Sequence, residues 1–375
     1  VPLGRSARSR SPGHGLRVIA RIDLAPQWAR PAGSSHTAPP ENYDDFADFI
    51  AEFVRHYRGR VQFIEIWNEP NLAAEWGGTI DPAGYAELLR AAATAARAED
   101  PNVVILSAPL AMTTENSERA MDDLQYWQAL YDAGASPYFD IISANAYGLD
   151  QRFDAPADEQ VLNVRRIELV REIAERNGDE NKAMWLNEYG WNASPEDFPI
   201  DELIWSRVDE RQQADWTASG IEYLRESHPW FGVANIWYLR QVGDIPSDRS
   251  EYYFRAVDVE FTPRPLYLAV QRTGHDWSTA TTGRYDDLAS PLRPFGTWTI
   301  ILDSNSANGS YSSGSPGSTL EISVRATEIN ALLAADQQET ELLVSTDDGE
   351  NRRVLIPGGQ DSVTLASWSV DQAPK

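Results

Sequence analysis

Six short apolar runs, each followed by a stretch of helical period, fill the sequence from Leu16 to Gly274. The runs are "LRVIARID", "VQFIEIW", "NVVILSAPL", "FDIISANAYG", "KAMWLNEYGW" and "GVANIWYL". They are rich in β-branched and aromatic residues and apolar on both faces, the pattern of strands buried in a parallel sheet. Between them, "NYDDFADFIAEFVRHY" puts Phe46, Ile50, Phe53, Val54 and Tyr57 on one helical face. "DPAGYAELLRAAATAARAED" opens on Asp81 as an N-cap with Pro82 in the first turn. Strands alternating with amphipathic helices make βαβ units and an α/β domain. Six strands fit an open doubly wound sheet, whereas an eight-fold (β/α) barrel needs two more. Periodicity alone leaves both open.

The texture changes after about residue 280. "GTWTIILDS", "STLEISVRA", "ETELLVST", "RRVLIP" and "DSVTLASWSV" are short alternating strands separated by Gly, Ser, Asn and Asp. They predict an antiparallel β-sandwich over residues 285–375, with Trp298, Ile300, Leu320 and Leu355 in its core. The α/β domain is expected over residues 16–280. Residues 1–15, "VPLGRSARSRSPGHG", are basic and rich in Pro, Gly and Ser, and are expected to be disordered or foreign to the fold.

Net charge is −25, which disfavours nucleic acid and anionic membranes as partners and leaves a neutral ligand as the best fit. There are no cysteines, so disulfides and thiolate metal sites are excluded. The five histidines, His14, His36, His56, His228 and His275, show no metal-ligand spacing, and neither a metal nor a cofactor is expected. No apolar run approaches the length of a membrane span, so membrane insertion is not expected. The expected molecule is a monomer.

Two of the six runs end in a glutamate. In "EIWNEPN", Glu69 sits just past the strand and Pro70 stops the ladder; in "WLNEYGW", Glu188 ends the fifth run. Carboxyl ends of parallel strands are where such folds place their sites. Asn68 precedes one glutamate and Asn187 the other, and Trp67, Trp76, Trp185, Trp191 and Trp237 are expected around them. A lone Asn-Glu-Pro is an ordinary loop tripeptide. Two rim carboxyls with amides and indoles suit glycoside hydrolysis, which needs one protonated and one ionised carboxyl.

"YRGRVQFIEIWNEPN" and "MWLNEYGW" resemble the fourth- and seventh-strand motifs of clan A glycoside hydrolases, which are retaining (β/α)8 barrels. The text from "DLAPQWARP" to "YRGRV" is similar to family 39 and family 5 members. The resemblance covers roughly residues 16–275 and implies a barrel with strands three to eight present and the first two absent. It also implies Glu69 as general acid/base, Glu188 as nucleophile, and Asn68 as a hydrogen-bonding partner of the neighbouring sugar hydroxyl. Tyr147 would contact the nucleophile, and Trp237 would be the sugar platform. Asn145, Trp28, Trp76 and Trp191 complete the expected substrate-binding set. Asn145 stands where relatives often carry His, and Arg21 and Asp23 on the first run are not assigned the roles of residues from the absent strands. The expected activity is cleavage of a neutral β-glucan- or β-xylan-type saccharide, outside the cell or at its surface. The alternative is a carbohydrate-binding protein without turnover.

Overall fold

The computed structural model describes residues 17–241 and 246–273, and beyond them strands between residues 292 and 367 with the turn residues 317 and 318. The expectation for residues 1–15 lies outside the described residues, as do the side chains of Trp298 and Ile300. Contacts divide the chain into two units, Val1–Val270 and Gln271–Lys375.

In the first unit each apolar run is a strand: β1 (Ile19–Ile22), β2 (Phe63–Ile66), β3 (Val104–Leu106), β4 (Ile141–Tyr147), β5 (Ala183–Gly190) and β6 (Phe231–Ile236). The helices are α1 (Tyr43–Tyr57), α2 (Pro82–Glu99), α3 (Asp123–Asp132), α4 (Arg166–Arg176), α5 (Glu210–Ser227) and α6 (Pro265–Thr273). All strand pairs are parallel, and the spatial order β1-β2-β3-β4-β5-β6 is the sequence order. A doubly wound sheet reverses its order at a switch point, and this sheet never does. The winding is that of a (β/α) barrel of which six units are present. Among the described residues β1 and β6 each pair on one side only, so the sheet is an open arc.

Local signals place the helices where the sequence predicts them. Asn42 caps α1 by accepting from the Asp44 N–H, and Asp81 caps α2 by accepting from the Gly84 N–H. Helix α5 opens with a reciprocal capping box between Asp209 and Gln212. The sheet-facing side of α1 and α2 buries Ile50, Val54, Leu88, Leu89 and Ala92 against Ile64 and Ile66 of β2. Ile64 and Ile66 thus face the helices, and alternation turns Phe63 and Glu65 to the other side of the sheet.

A close approach fixes the end of β4. A β-carbon added at Gly148 would overlap the Trp191 indole, which is 1 % exposed. Gly148→Ala should therefore cost at least about 1–3 kcal/mol of stability by overpacking. Urea denaturation checks it, and an unchanged midpoint would refute the close approach.

The second unit consists of antiparallel pairs: β7 (Leu292–Phe295) with β10 (Thr319–Ile322), β8 (Trp298–Leu302) with β9 (Ser310–Gly314), β11 (Glu328–Ala335) with β14 (Gly359–Ser367), and β12 (Thr340–Ser345) with β13 (Asn351–Ile356). On β13 the buried residues are Val354 and Ile356, while Leu355 is 55 % exposed and Leu320 on β10 is 41 % exposed. The expected inward places of Leu355 and Leu320 are thus corrected. For β13 the cause is the period of two, which sends the neighbours of a buried residue to the opposite face.

Candidate active site

Glu69 and Glu188 meet at the carboxyl end of the sheet through shared neighbours. Arg21, on β1, donates from Nη1 to Asn68 Oδ1 at 2.9 Å and to Glu188 Oε1 at 3.2 Å. Its Nε pairs with Asp23 at 3.3 Å. Tyr147, at the end of β4, donates its hydroxyl to Glu188 Oε2 at 2.5 Å. Asn145 donates from Nδ2 to Glu69 Oε1 at 2.6 Å. One carboxyl therefore receives a guanidinium and a phenol, the other a single amide.

Backbone geometry aims these groups. Trp67 and Glu69 have positive φ, 73° and 43°, so the chain leaves β2 through two left-handed residues that are not glycine. Each costs of order 1–3 kcal/mol, which the surrounding bonds must offset. Those bonds are present. The Glu69 N–H donates to the Pro109 carbonyl at 3.0 Å, and the Trp67 N–H to the Ile22 carbonyl at 3.0 Å. The Tyr85 hydroxyl, from α2, donates to the Ile66 carbonyl and accepts from the Ala108 N–H, joining the ends of β2 and β3. Asn71 is fully buried and bonds both the N–H and carbonyl of Ala111 and the carbonyl of Met121, pinning the β3–α3 loop beside Glu69. The "NEPN" motif is thus a strand stop, a carboxyl and a buried loop anchor together.

On β5 the register slips. Ala144 pairs with Leu186 but Asn145 pairs with Glu188, which leaves Asn187 as the extra residue of a bulge. A bulge re-aims side chains. Here it turns Glu188 to the face of Asn145 and Tyr147 while Asn187 Nδ2 still reaches Asn145 Oδ1 at 3.5 Å.

The electrostatics of the pair are unequal. Burial, and then the like charge of Glu188, pushes the Glu69 carboxyl up to about 8, against the lowering effect of Asn145. Burial and the adjacent Glu188 carboxylate hold the Tyr147 hydroxyl well above its usual range, so it remains a donor. Burial alone would lower the Arg21 guanidinium, but Glu188, Asp23 and Glu65 outweigh it and keep the group charged.

Of the expected aromatic residues, Trp237 stands beside the pair: it follows β6 and packs edge-on to Tyr147 at 6.0 Å and to Phe254 at 5.0 Å. Trp28 is 72 % exposed on the loop after β1, the face that carries the pair. Trp76 and Trp191 are corrections. Trp76 is 2 % exposed and wedged between Trp67 and Tyr85. Trp191 is held by the Gln151 carbonyl and packs between Tyr189 and Trp216. Both are core residues, as is Trp67. Trp185 packs on Phe63, the first residue of β2, and so belongs to the far end of the strands. Sequence reasoning missed Trp205, which lies 4.3 Å from the Tyr147 ring and is 40 % exposed. It left Arg21 unassigned. Nothing in the sequence singles out Trp205; for Arg21 the signal was its place on the first strand, two residues before Asp23.

Among the described residues no group of three or more Asp, Glu or His side chains is placed to hold a metal ion, and no helix is long and apolar enough to cross a membrane.

No family model matches the chain, and no curated protein matches it in sequence. Solved structures do match. A family 39 glycoside hydrolase from the gut symbiont Bacteroides cellulosilyticus WH2 aligns with 95 % of this chain and 69 % of its own, at 16 % identity and a TM-score of 0.52. A glucosidase from Croceicoccus marinus aligns with 69 % of this chain and 51 % of its own, at 17 % identity and a TM-score of 0.51. The chain thus spans about two thirds of the first and half of the second. At such identities the likeness is one of fold alone, and the six-stranded parallel sheet of this chain is consistent with part of the (β/α) barrel.

Proposed function

We propose that the chain is a retaining glycoside hydrolase acting on a neutral β-linked glucan- or xylan-type saccharide, with Glu69 as general acid/base and Glu188 as nucleophile. The observation that carries this reading is the contrast between the two carboxyls. Glu69 is pushed up to about 8, which keeps its proton at neutral pH. Glu188 instead accepts from two donors, the Arg21 guanidinium and the Tyr147 hydroxyl, which hold its two oxygens in place.

In the first step the Glu69 proton passes to the glycosidic oxygen as Glu188 attacks the anomeric carbon, giving a glycosyl ester and a free leaving-group alcohol. Esterification removes the Glu188 charge. Burial still favours neutral Glu69, but the like charge that also raised it is gone, so its carboxyl becomes easier to ionise. Glu69 then takes a proton from water, whose oxygen attacks the anomeric carbon and releases Glu188. Arg21 holds the Asn68 carbonyl oxygen, which leaves the Asn68 amide protons for a sugar hydroxyl. Trp237 supplies an apolar face for the ring, and Asn145 and Trp28 belong to the same proposed binding set. The second unit is proposed as a β-sandwich accessory module for carbohydrate or surface attachment, and the whole as a monomer working outside the cell.

The test follows the anomer first released from an aryl β-glycoside by proton NMR. The β anomer is expected, and the α anomer would overturn the double displacement. A crystal structure should find the carboxyls about 5–5.5 Å apart; about 6.5–9.5 Å would indicate inversion instead.

A further inference from the structure

A third carboxyl lies beneath the pair. Glu65, on β2, is 1 % exposed and is the register partner of Arg21 on β1. Paired residues of adjacent parallel strands point to the same face, so Glu65 and Arg21 share the concave side of the arc. Ser143, on β4, donates its hydroxyl to Glu65 Oε2 at 2.5 Å. The Ser143 N–H in turn donates to Ser107 Oγ on β3 at 3.0 Å. Glu65 Oε1 has no hydrogen-bond partner. Among the described residues no hydrogen bond or ion pair joins Glu65 to Arg21, whose guanidinium is committed to Asn68, Asp23 and Glu188.

A buried carboxylate with one bare oxygen beside a guanidinium is an unstable arrangement. Either the carboxyl is neutral or the arginine turns to it. The arginine has not turned.

We propose that Glu65 is a positioning residue that works as a neutral acid, leaving Arg21 free to hold Glu188, and that its ionisation draws the arginine away from Glu188 and disarms the site. The charged and titratable groups facing it are Arg21 and Asp23 from β1 and Glu188 from β5, and Tyr85 of α2, whose hydroxyl bonds the backbone of Ile66 and Ala108, feels its charge from behind the sheet. Burial dominates and raises Glu65, Ser143 and Arg21 lower it, and Glu188 and Asp23 raise it, with the balance at about 8. The inference rests on the reading of Glu188 as nucleophile, but Glu65 and Arg21 can be observed without turnover.

The first arm is a carboxyl-carbon NMR titration of the chain labelled at glutamate. Two glutamates should titrate far above the rest, Glu69→Gln should remove one, and the Arg21 Nε–H resonance should move with the other. A single high titration that vanishes in Glu69→Gln, or an Arg21 resonance that stays fixed as Glu65 titrates, overturns the proposal. The second arm uses an alkyl β-glycoside, whose leaving group needs the Glu69 proton. Glu65→Leu should lower kcat about tenfold with KM little changed, and Glu65→Gln, the isostere of the neutral acid, should restore it. The alkaline fall in kcat should involve two protons in the unmutated chain and one in Glu65→Gln. One proton in both, or no rescue by glutamine in a variant that melts normally, overturns it. Absence of turnover in the unmutated chain would instead count against the proposed activity, and the first arm would still decide the state of Glu65.

Discussion

Glu188→Ala should abolish formation of the glycosyl-enzyme, and Glu69→Ala should slow that first step only for substrates whose leaving group needs a proton, while slowing hydrolysis of the glycosyl-enzyme for all of them. The first variant removes the atom that forms the covalent bond, so no leaving group rescues it. The second removes general acid catalysis, worth about 10²–10⁴-fold, from alkyl glycosides but spares the first step with aryl glycosides whose leaving group departs unprotonated, so that the glycosyl-enzyme accumulates for want of a base to activate water. Azide then separates the two. In Glu69→Ala it takes the place of water on the glycosyl-enzyme and gives a β-glycosyl azide. In Glu188→Ala it attacks the substrate directly from the vacated side and gives an α-glycosyl azide. The opposite assignment would mean the two roles are exchanged.

The pH dependence has a definite sign. Glu69 must carry its proton, so turnover should fall as pH rises through about 8. Stability should follow the same direction. Glu65 and Glu69 are both raised from 4.5 to about 8 in the folded chain, so the folded state binds protons that the unfolded state releases between those values. Their contribution is whole below about 4.5 and is lost as pH rises to about 8. Melting temperature recorded across that interval should decline, and Glu69→Gln should flatten the decline. A rise instead would mean that both carboxyls are ionised in the folded chain.

The sequence carried the strands, their parallel pairing and both glutamates, because apolar runs, caps and a strand-stopping proline are local signals. It did not carry the contacts between strands. Arg21 and Glu188 are 167 residues apart, and only the sheet's register brings them together. The bulge at Asn187 is equally silent in one dimension, since an extra residue in a strand leaves no local mark. The tryptophans misled for a related reason. Trp76 and Trp191 lie close to the glutamates in sequence, yet they turn into the core, where indole area is best buried. Trp205, 17 residues beyond Glu188, reaches Tyr147 through a loop that no periodicity describes. Nearness along the chain identified the carboxyls but not their surroundings.

Arg166→Ala should destabilise the first unit more than any of the site substitutions, by about 3–5 kcal/mol. Arg166 opens α4 and is 1 % exposed. Its Nε donates to both Asp123 oxygens at 3.0 and 3.1 Å, its Nη2 to Asp122 at 3.1 Å, and its Nη1 to the Asp158 and Glu159 carbonyls at 3.3 and 2.6 Å. Asp122 is at the same time the N-cap of α3, accepting from the Gln125 N–H. One guanidinium therefore ties α3, α4 and the loop before α4 together. Removing it strands two aspartates in a dry interior, and breaking a buried pair from one side costs far more than the intact pair contributes. Burial already raises Asp123 against the lowering effect of Arg166, and without the arginine only the long bond from the Thr113 N–H still opposes it. The variant should therefore be worst above the raised Asp123 value and recover in part as pH falls through it. Arg166→Met combined with Asp122→Asn and Asp123→Asn should regain much of the loss, since the anions go with the cation. The effect should also reach the site, because the small cavity lined by Asp123 and Arg166 is lined as well by Asn145, which holds Glu69. Equal melting of Arg166→Ala and the triple variant would show that the cluster's charges are already hydrated and that α3 and α4 are held by their apolar faces alone.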